Sequence, residues 1–141
     1  MLTNDIILTV RYAETDQMGI VHHSNYPIWY EASRTAFIRK LGLPYSKVEE
    51  MGVMLPLIEL KCNYKGVAKY EDEVIIKTLV REMTGARITF GYEVYKKENN
   101  GNLLINTGET MHAWTSTELK PVNLKKFRPE IFDILSTAIN T

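Results

Sequence analysis

The sequence predicts an α+β fold in which one buried helix packs against an antiparallel sheet. Three observations carry this. A period-two segment opens the chain, a broad aromatic-rich helical pattern follows, and four further long segments alternate like strands. The chain has 141 residues, 45% of them apolar and 24% charged, which suits one domain spanning 1–141 with its own core.

The elements can be taken in order. Ile6, Leu8, Val10 and Tyr12 alternate with Ile7, Thr9 and Arg11, which is strand periodicity. Residues 13–24 then break every period and hold two acids, two histidines and a glycine. From Asn25 to Leu41, Tyr26, Trp29, Tyr30, Ser33, Ala36, Phe37 and Leu41 keep helical spacing, and Ile28 and Ala32 widen the stripe. Ser24 or Asn25 can cap this helix, Pro27 fits its first turn, and Gly42 suits its C-terminus. A short helix is expected over Tyr45–Glu50.

The remainder reads as strand. Ile58, Leu60, Cys62 and Tyr64 alternate with polar neighbours. Val74–Val80 is a β-branched run, Ile88–Val94 alternates, and Leu103–Thr115 forms a long strand with mixed faces. Thr84-Gly85 and Asn99-Asn100-Gly101 are turn signals, so the four strands are expected in hairpin succession. An amphipathic helix near Pro129–Ile139 closes the chain.

Lysine plus arginine equals aspartate plus glutamate, 17 each, so bulk charge gives no support to a nucleic-acid partner. Cys62 is the sole cysteine, which excludes an internal disulfide and suits a reducing compartment. Met1–Val10 lacks a basic leader, and no apolar run nears the ~20 residues of a membrane span. A cytoplasmic protein is the expectation.

The loop over 13–24 is where chemistry is expected, because loops on a rigid scaffold carry function. Asp16 precedes the helix and could lie near its N-terminal N–H groups. A carboxylate beside donors that polarise a carbonyl is a minimal acyl-transfer site. The plainer alternative is an aspartate that caps a turn. His22 and His23 invite a metal reading, but adjacent histidines in an extended stretch point to opposite sides. His112 is far along the chain, and no zinc-type spacing is present, so no metal is expected. His23 either orients the turn or neighbours an acyl carbonyl. The aromatic series belongs to the core, with Tyr26 beside the proposed site as its exception. Cys62 reads as an inert core thiol.

The stretch Tyr12-Ala13-Glu14-Thr15-Asp16-Gln17-Met18-Gly19-Ile20-Val21-His22-His23-Ser24-Asn25-Tyr26 closely resembles the signature of the 4-hydroxybenzoyl-CoA thioesterase family. It looks most like the branch typified by the thioesterase of the Tol-Pal gene cluster. The pattern is an acid-Thr-Asp, a short gap, Gly-hydrophobic-Val, then Asn-or-Ser-Tyr opening a helix. The helix continues Trp29-Tyr30-Glu31-Ala32, with Arg34 after it, as in many members. Glu14 stands where the pattern's first acid is often Asp. The match is specific over residues 10–41 and one of strand order beyond.

The resemblance implies a hot-dog fold, a curled antiparallel sheet wrapped around one long buried helix. It implies an acyl-CoA thioesterase in which Asp16 is nucleophile or general base. The segment Gly19, Ile20, Val21, His22, His23 would line the thioester. His23 would offer its backbone N–H to the carbonyl, with its ring assisting, and Asn25 and Tyr26 would shape the mouth. Lys61, Lys65, Arg81 and Arg87 are candidates for the coenzyme A phosphates. Coenzyme A enters as part of the substrate, with no separate cofactor. An acyl-carrier-protein thioester is the alternative partner, and a homodimer or homotetramer with sites between subunits is implied. Two other functions stay open on the same fold. One is a dehydratase or hydratase pairing His23 with Glu14 or Asp16. The other is a non-catalytic acyl-CoA binder.

Overall fold

The alternation along the strands closes into one curled sheet in a computed structural model that describes residues 1–140. In chain order come β1 (Thr3–Thr9), a 3-10 turn (Tyr12–Glu14), α1 (Asn25–Lys40), α2 (Tyr45–Glu50) and β2 (Leu57–Tyr64). Then follow β3 (Glu73–Met83), β4 (Arg87–Glu98), β5 (Gly101–Ala113), α3 (Leu124–Phe127) and α4 (Pro129–Asn140). The five strands lie in the order β1-β3-β4-β5-β2, every pair antiparallel. This is the hot-dog arrangement expected from the resemblance.

The sheet's concave side holds α1. Tyr26, Trp29, Tyr30, Ser33, Phe37 and Ile38 are its buried residues. They meet Val74, Ile76, Val80, Ile88, Phe90 and Val94, whose alternation puts them all on the inner face, and Ile105 joins the core at a β-bulge opposite Val94 and Tyr95. Removing each such side chain from water contributes about 1.5–3 kcal/mol, which is why so narrow a domain holds its helix. Tyr30 stacks on Tyr92 with ring centroids 4.2 Å apart and bonds the Asn106 amide oxygen. Gly108 makes room for it, since a Cβ there would collide with the Tyr30 hydroxyl.

Four expectations need correction. The first strand ends at Thr9, not Tyr12, because the chain turns into the 3-10 turn and leaves Tyr12 exposed. Ile28 and Ala32 do not widen the buried stripe. They face outward, since the sheet covers only one side of α1. Hairpin succession holds for β3-β4-β5 but not for β2, which pairs with β5 at the far edge. Residues 65–72 carry no tight-turn signal and instead cross the end of the sheet. Val21 N–H donates to Ala68 C=O on the way, and Glu71 N–H to Val10 C=O. Finally, β2 is not half-buried. Leu57, Ile58, Leu60 and Tyr64 are exposed, and only Cys62 is partly covered, by Tyr30. Among the described residues, no helix is long and apolar enough to cross a membrane.

Candidate active site

The loop before α1 is built by backbone bonds that its sequence permits. Gly19 adopts a φ of +79°, a conformation that suits glycine. Gly19 N–H donates to Asp16 C=O and Asp16 N–H to Ile20 C=O. Met18 N–H donates to Asp16 Oδ1 at 2.9 Å. This is the turn-capping role expected of a loop aspartate, and it leaves the second carboxylate oxygen available. Thr15 and Val21 bridge the base of the loop.

Glu14 and Asn25 fasten the loop to the helix. The Glu14 carboxylate accepts Arg11 N–H at 2.8 Å and the Trp29 indole N–H at 2.7 Å. Burial pushes its acid strength down, but the bonds from Arg11 and Trp29 outweigh that and hold its pKa below the ordinary value. The Asn25 side-chain amide donates to Glu14 C=O at 2.8 Å and His22 C=O at 3.3 Å. Both residues are thus braces. With its oxygens engaged, Glu14 is a poor proton-transfer partner for His23, which weakens the hydratase reading.

Asp16 opens onto a cleft of about 180 Å³ lined by Met18, Ile20, Val21, His23, Tyr26, Tyr64, Gly66 and Val67. Of the residues expected at the site, Asp16, Ile20, Val21, His23 and Tyr26 meet there. Gly19 shapes the turn beneath, and His22 and Asn25 hold the backbone beside it. Met18, Tyr64, Gly66 and Val67 were not legible, because the β2–β3 crossing brings three of them in from afar. The Tyr64 hydroxyl donates to His23 C=O at 3.1 Å, and its ring meets Tyr26 edge-on at 5.3 Å. Burial, then the neighbouring Cys62, pushes both tyrosine hydroxyls up to about 12, so both stay neutral donors near neutral pH.

The His23 backbone N–H donates to nothing among the described residues. It sits two residues before α1, on the lip of the Asp16 cleft. An unused N–H of a residue that shares its cleft with a carboxylate, at the positive end of a helix, can bind the oxygen of a polarised carbonyl. The two histidine rings do not point apart as expected. The chain turns there, and their centroids lie 4.0 Å apart. His22 Nδ1 is held by Ser24 Oγ at 2.7 Å. Ser24 stands at the N-cap of α1, as expected, but its hydroxyl anchors His22 and makes no capping bond.

The four basic candidates do not gather. Lys65 is exposed beside Gly66 at the cleft. Lys61 pairs with Glu59 at 3.3 Å, and Arg81 with Glu109 at 3.1 Å, both on the sheet's outer face. Arg87 lies at the start of β4, against Met111 Sδ.

Comparison with known proteins agrees with this architecture. Residues 10–133 match the thioesterase-like superfamily. YneP of Bacillus subtilis is 36% identical over 123 residues, covering 87% of this chain and 88% of that one. The acyl-CoA thioesterase YbgC of Haemophilus influenzae is 30% identical over 135 residues, covering 94% and 91%. The DHNA-CoA thioesterase from Staphylococcus aureus superposes with a TM-score of 0.91 at 32% identity, covering 99% of this chain and 93% of that one. With the curled sheet, the buried α1 and the braced loop, these matches show that the chain belongs to the thioesterase-like superfamily and has its hot-dog fold.

Proposed function

We propose that this thioester hydrolase cleaves an acyl-coenzyme A to a carboxylic acid and free coenzyme A, with Asp16 as the reacting carboxylate. The observation that carries it is that Asp16 and His23, whose backbone N–H is unused, line one cleft. The thioester carbonyl oxygen accepts from His23 N–H. Asp16 attacks the carbonyl carbon directly or deprotonates a water that does so, and the carbon–sulfur bond breaks as the thiolate leaves. Water supplies the oxygen and proton of the products; in the direct route it does so by hydrolysing the mixed anhydride that Asp16 forms, which frees the carboxylate again. The neutral Tyr64 hydroxyl holds the His23 peptide in place.

Within the superfamily, the Asp16-to-Tyr26 motif supports the 4-hydroxybenzoyl-CoA thioesterase-like branch. The names carried by YbgC and by the Staphylococcus aureus protein support coenzyme A as the carrier. The working unit is a homodimer joined through β2, and dimers of this fold can assemble further into tetramers. The exposed apolar side chains of β2, on a strand with one unpaired edge, support this. Lys65, next to the cleft, is the best placed of the basic candidates for a phosphate. The test is thiol release from a panel of acyl-CoAs by the wild type and by Asp16→Asn.

A further inference from the structure

The exposed strand β2 runs between two pockets. Its Tyr64 end borders the Asp16 cleft. Its Leu57 end begins two residues after Leu55, which lines a second pocket of about 220 Å³. Glu31, Arg34, Thr35, Ile38 and Tyr45 complete that second lining. Tyr26 of the cleft and Arg34 of the second pocket lie along one side of α1, ~12 Å apart at the helical rise of ~1.5 Å per residue.

Arg34 is half-buried and always charged, with five donors and no acceptor. Among the described residues its guanidinium makes one hydrogen bond, a long one of 3.5 Å to the Tyr92 hydroxyl. That hydroxyl is already bonded to Thr110 Oγ1 at 2.5 Å. Thr110 Oγ1 also meets His112 Nε2 at 2.9 Å, and His112 Nδ1 meets Leu55 C=O at 3.1 Å. The wall behind Arg34 is therefore satisfied within itself. Among the described residues no ion pair holds Arg34, although Glu31 lines the same pocket. A partly desolvated guanidinium with spare donors facing a cavity calls for an anionic oxygen.

The symmetry of a β2-to-β2 dimer decides which site this pocket serves. Antiparallel pairing about a two-fold axis normal to the sheet keeps both concave faces on one side. It also lays the Leu57 end of one strand beside the Tyr64 end of the other. With the two strands paired along their full length, each Asp16 cleft then lies beside the second pocket of the opposite subunit.

We propose that the Arg34 pocket of one subunit completes the Asp16 site of its partner, receives the far end of the acyl group, and selects acyl groups that carry an anionic oxygen there, such as a carboxylate. This rests on the thioesterase reading above. Arg34 is then a specificity residue acting across the interface, and Asp16 does the chemistry.

The test uses dicarboxylic acyl-CoAs of increasing length, each paired with the monocarboxylic acyl-CoA of equal length. The wild type is expected to prefer the dicarboxylic member at one or more lengths. Arg34→Gln is expected to lower that preference, the ratio of kcat/KM values, by about ten-fold or more. Arg34→Lys, which keeps the charge without the planar fork, is expected to retain part of it. Damage to the fold would lower both substrates alike and leave the ratio intact. Equal mixing of Asp16→Asn and Arg34→Gln subunits, by refolding together, makes heterodimers with one intact composite site. Roughly one quarter of wild-type activity on the dicarboxylic substrate is then expected, well above either variant alone. An unchanged ratio in Arg34→Gln, or a mixture no more active than the average of the two variants, overturns the proposal. Failure of the thioesterase reading looks different, as no hydrolysis of any acyl-CoA by the wild type or full activity in Asp16→Asn.

Discussion

The indole N–H of Trp29 donates to the buried carboxylate of Glu14 over 2.7 Å, tying the first turns of α1 to the loop that presents Asp16. Helix and loop are fixed relative to one another by this bond and by the Arg11 N–H on the other carboxylate oxygen. Glu14→Ala leaves both donors without their acceptor. It is expected to cost about 2–3 kcal/mol near neutral pH, measured by urea unfolding. The Glu14 pKa is lowered in the folded state, so its contribution is present above its ordinary value of 4.5 and is lost as pH falls through the folded value. The gap in stability between wild type and Glu14→Ala should therefore shrink in acid.

His112 gives a second pH signature of a different origin. Burial, then the nearby Arg34 charge, lowers its pKa from 6.5 to about 4, with only the Leu55 carbonyl pulling the other way. Between those values the unfolded chain binds a proton that the native ring refuses. Stability therefore rises with pH across this window and is lost as pH falls through it, by at most about 3 kcal/mol. Urea midpoints measured from pH ~7 to pH ~4 should show this slope in the wild type. His112→Gln should flatten it.

Leu60 tests the proposed edge. It is 41% exposed on a strand with an unpaired side. Leu60→Lys should shift the protein toward monomer in sedimentation velocity and lower activity in parallel, while the monomer's circular dichroism stays native. A dimer that persists through this change and through Ile58→Lys places the interface elsewhere.

Much of this was written in local sequence. The helix at 25–40, the two hairpins at 84–86 and 99–100, and the closing helix follow from periodicity and turn chemistry that act over a few residues. The placement of β2 does not. Its alternation, Ile58-Leu60-Cys62-Tyr64, is the pattern of a half-buried strand, and only long-range pairing with β5 sends it to an edge. Asp16, Val21, His23 and Tyr26 stood out because they share one loop and helix start. Tyr64, Gly66 and Val67 did not, since topology alone carries them to the cleft. The basic candidates failed to assemble for the same reason. Alternation assigns a side of the sheet only once the register is known, and it put Lys61 and Arg81 on the outer face.

The central claim concerns Asp16, and one comparison reaches it directly. Asn at this position keeps an oxygen for the Met18 N–H and nearly the same shape, so the loop should stand and the melting temperature should hold. Thiol release from the best acyl-CoA substrate is measured for the wild type and for Asp16→Asn. A fall in kcat of about 100-fold or more is predicted, the scale expected when a reacting carboxylate is removed. Hydrolysis by Asp16→Asn at the wild-type rate would contradict the account.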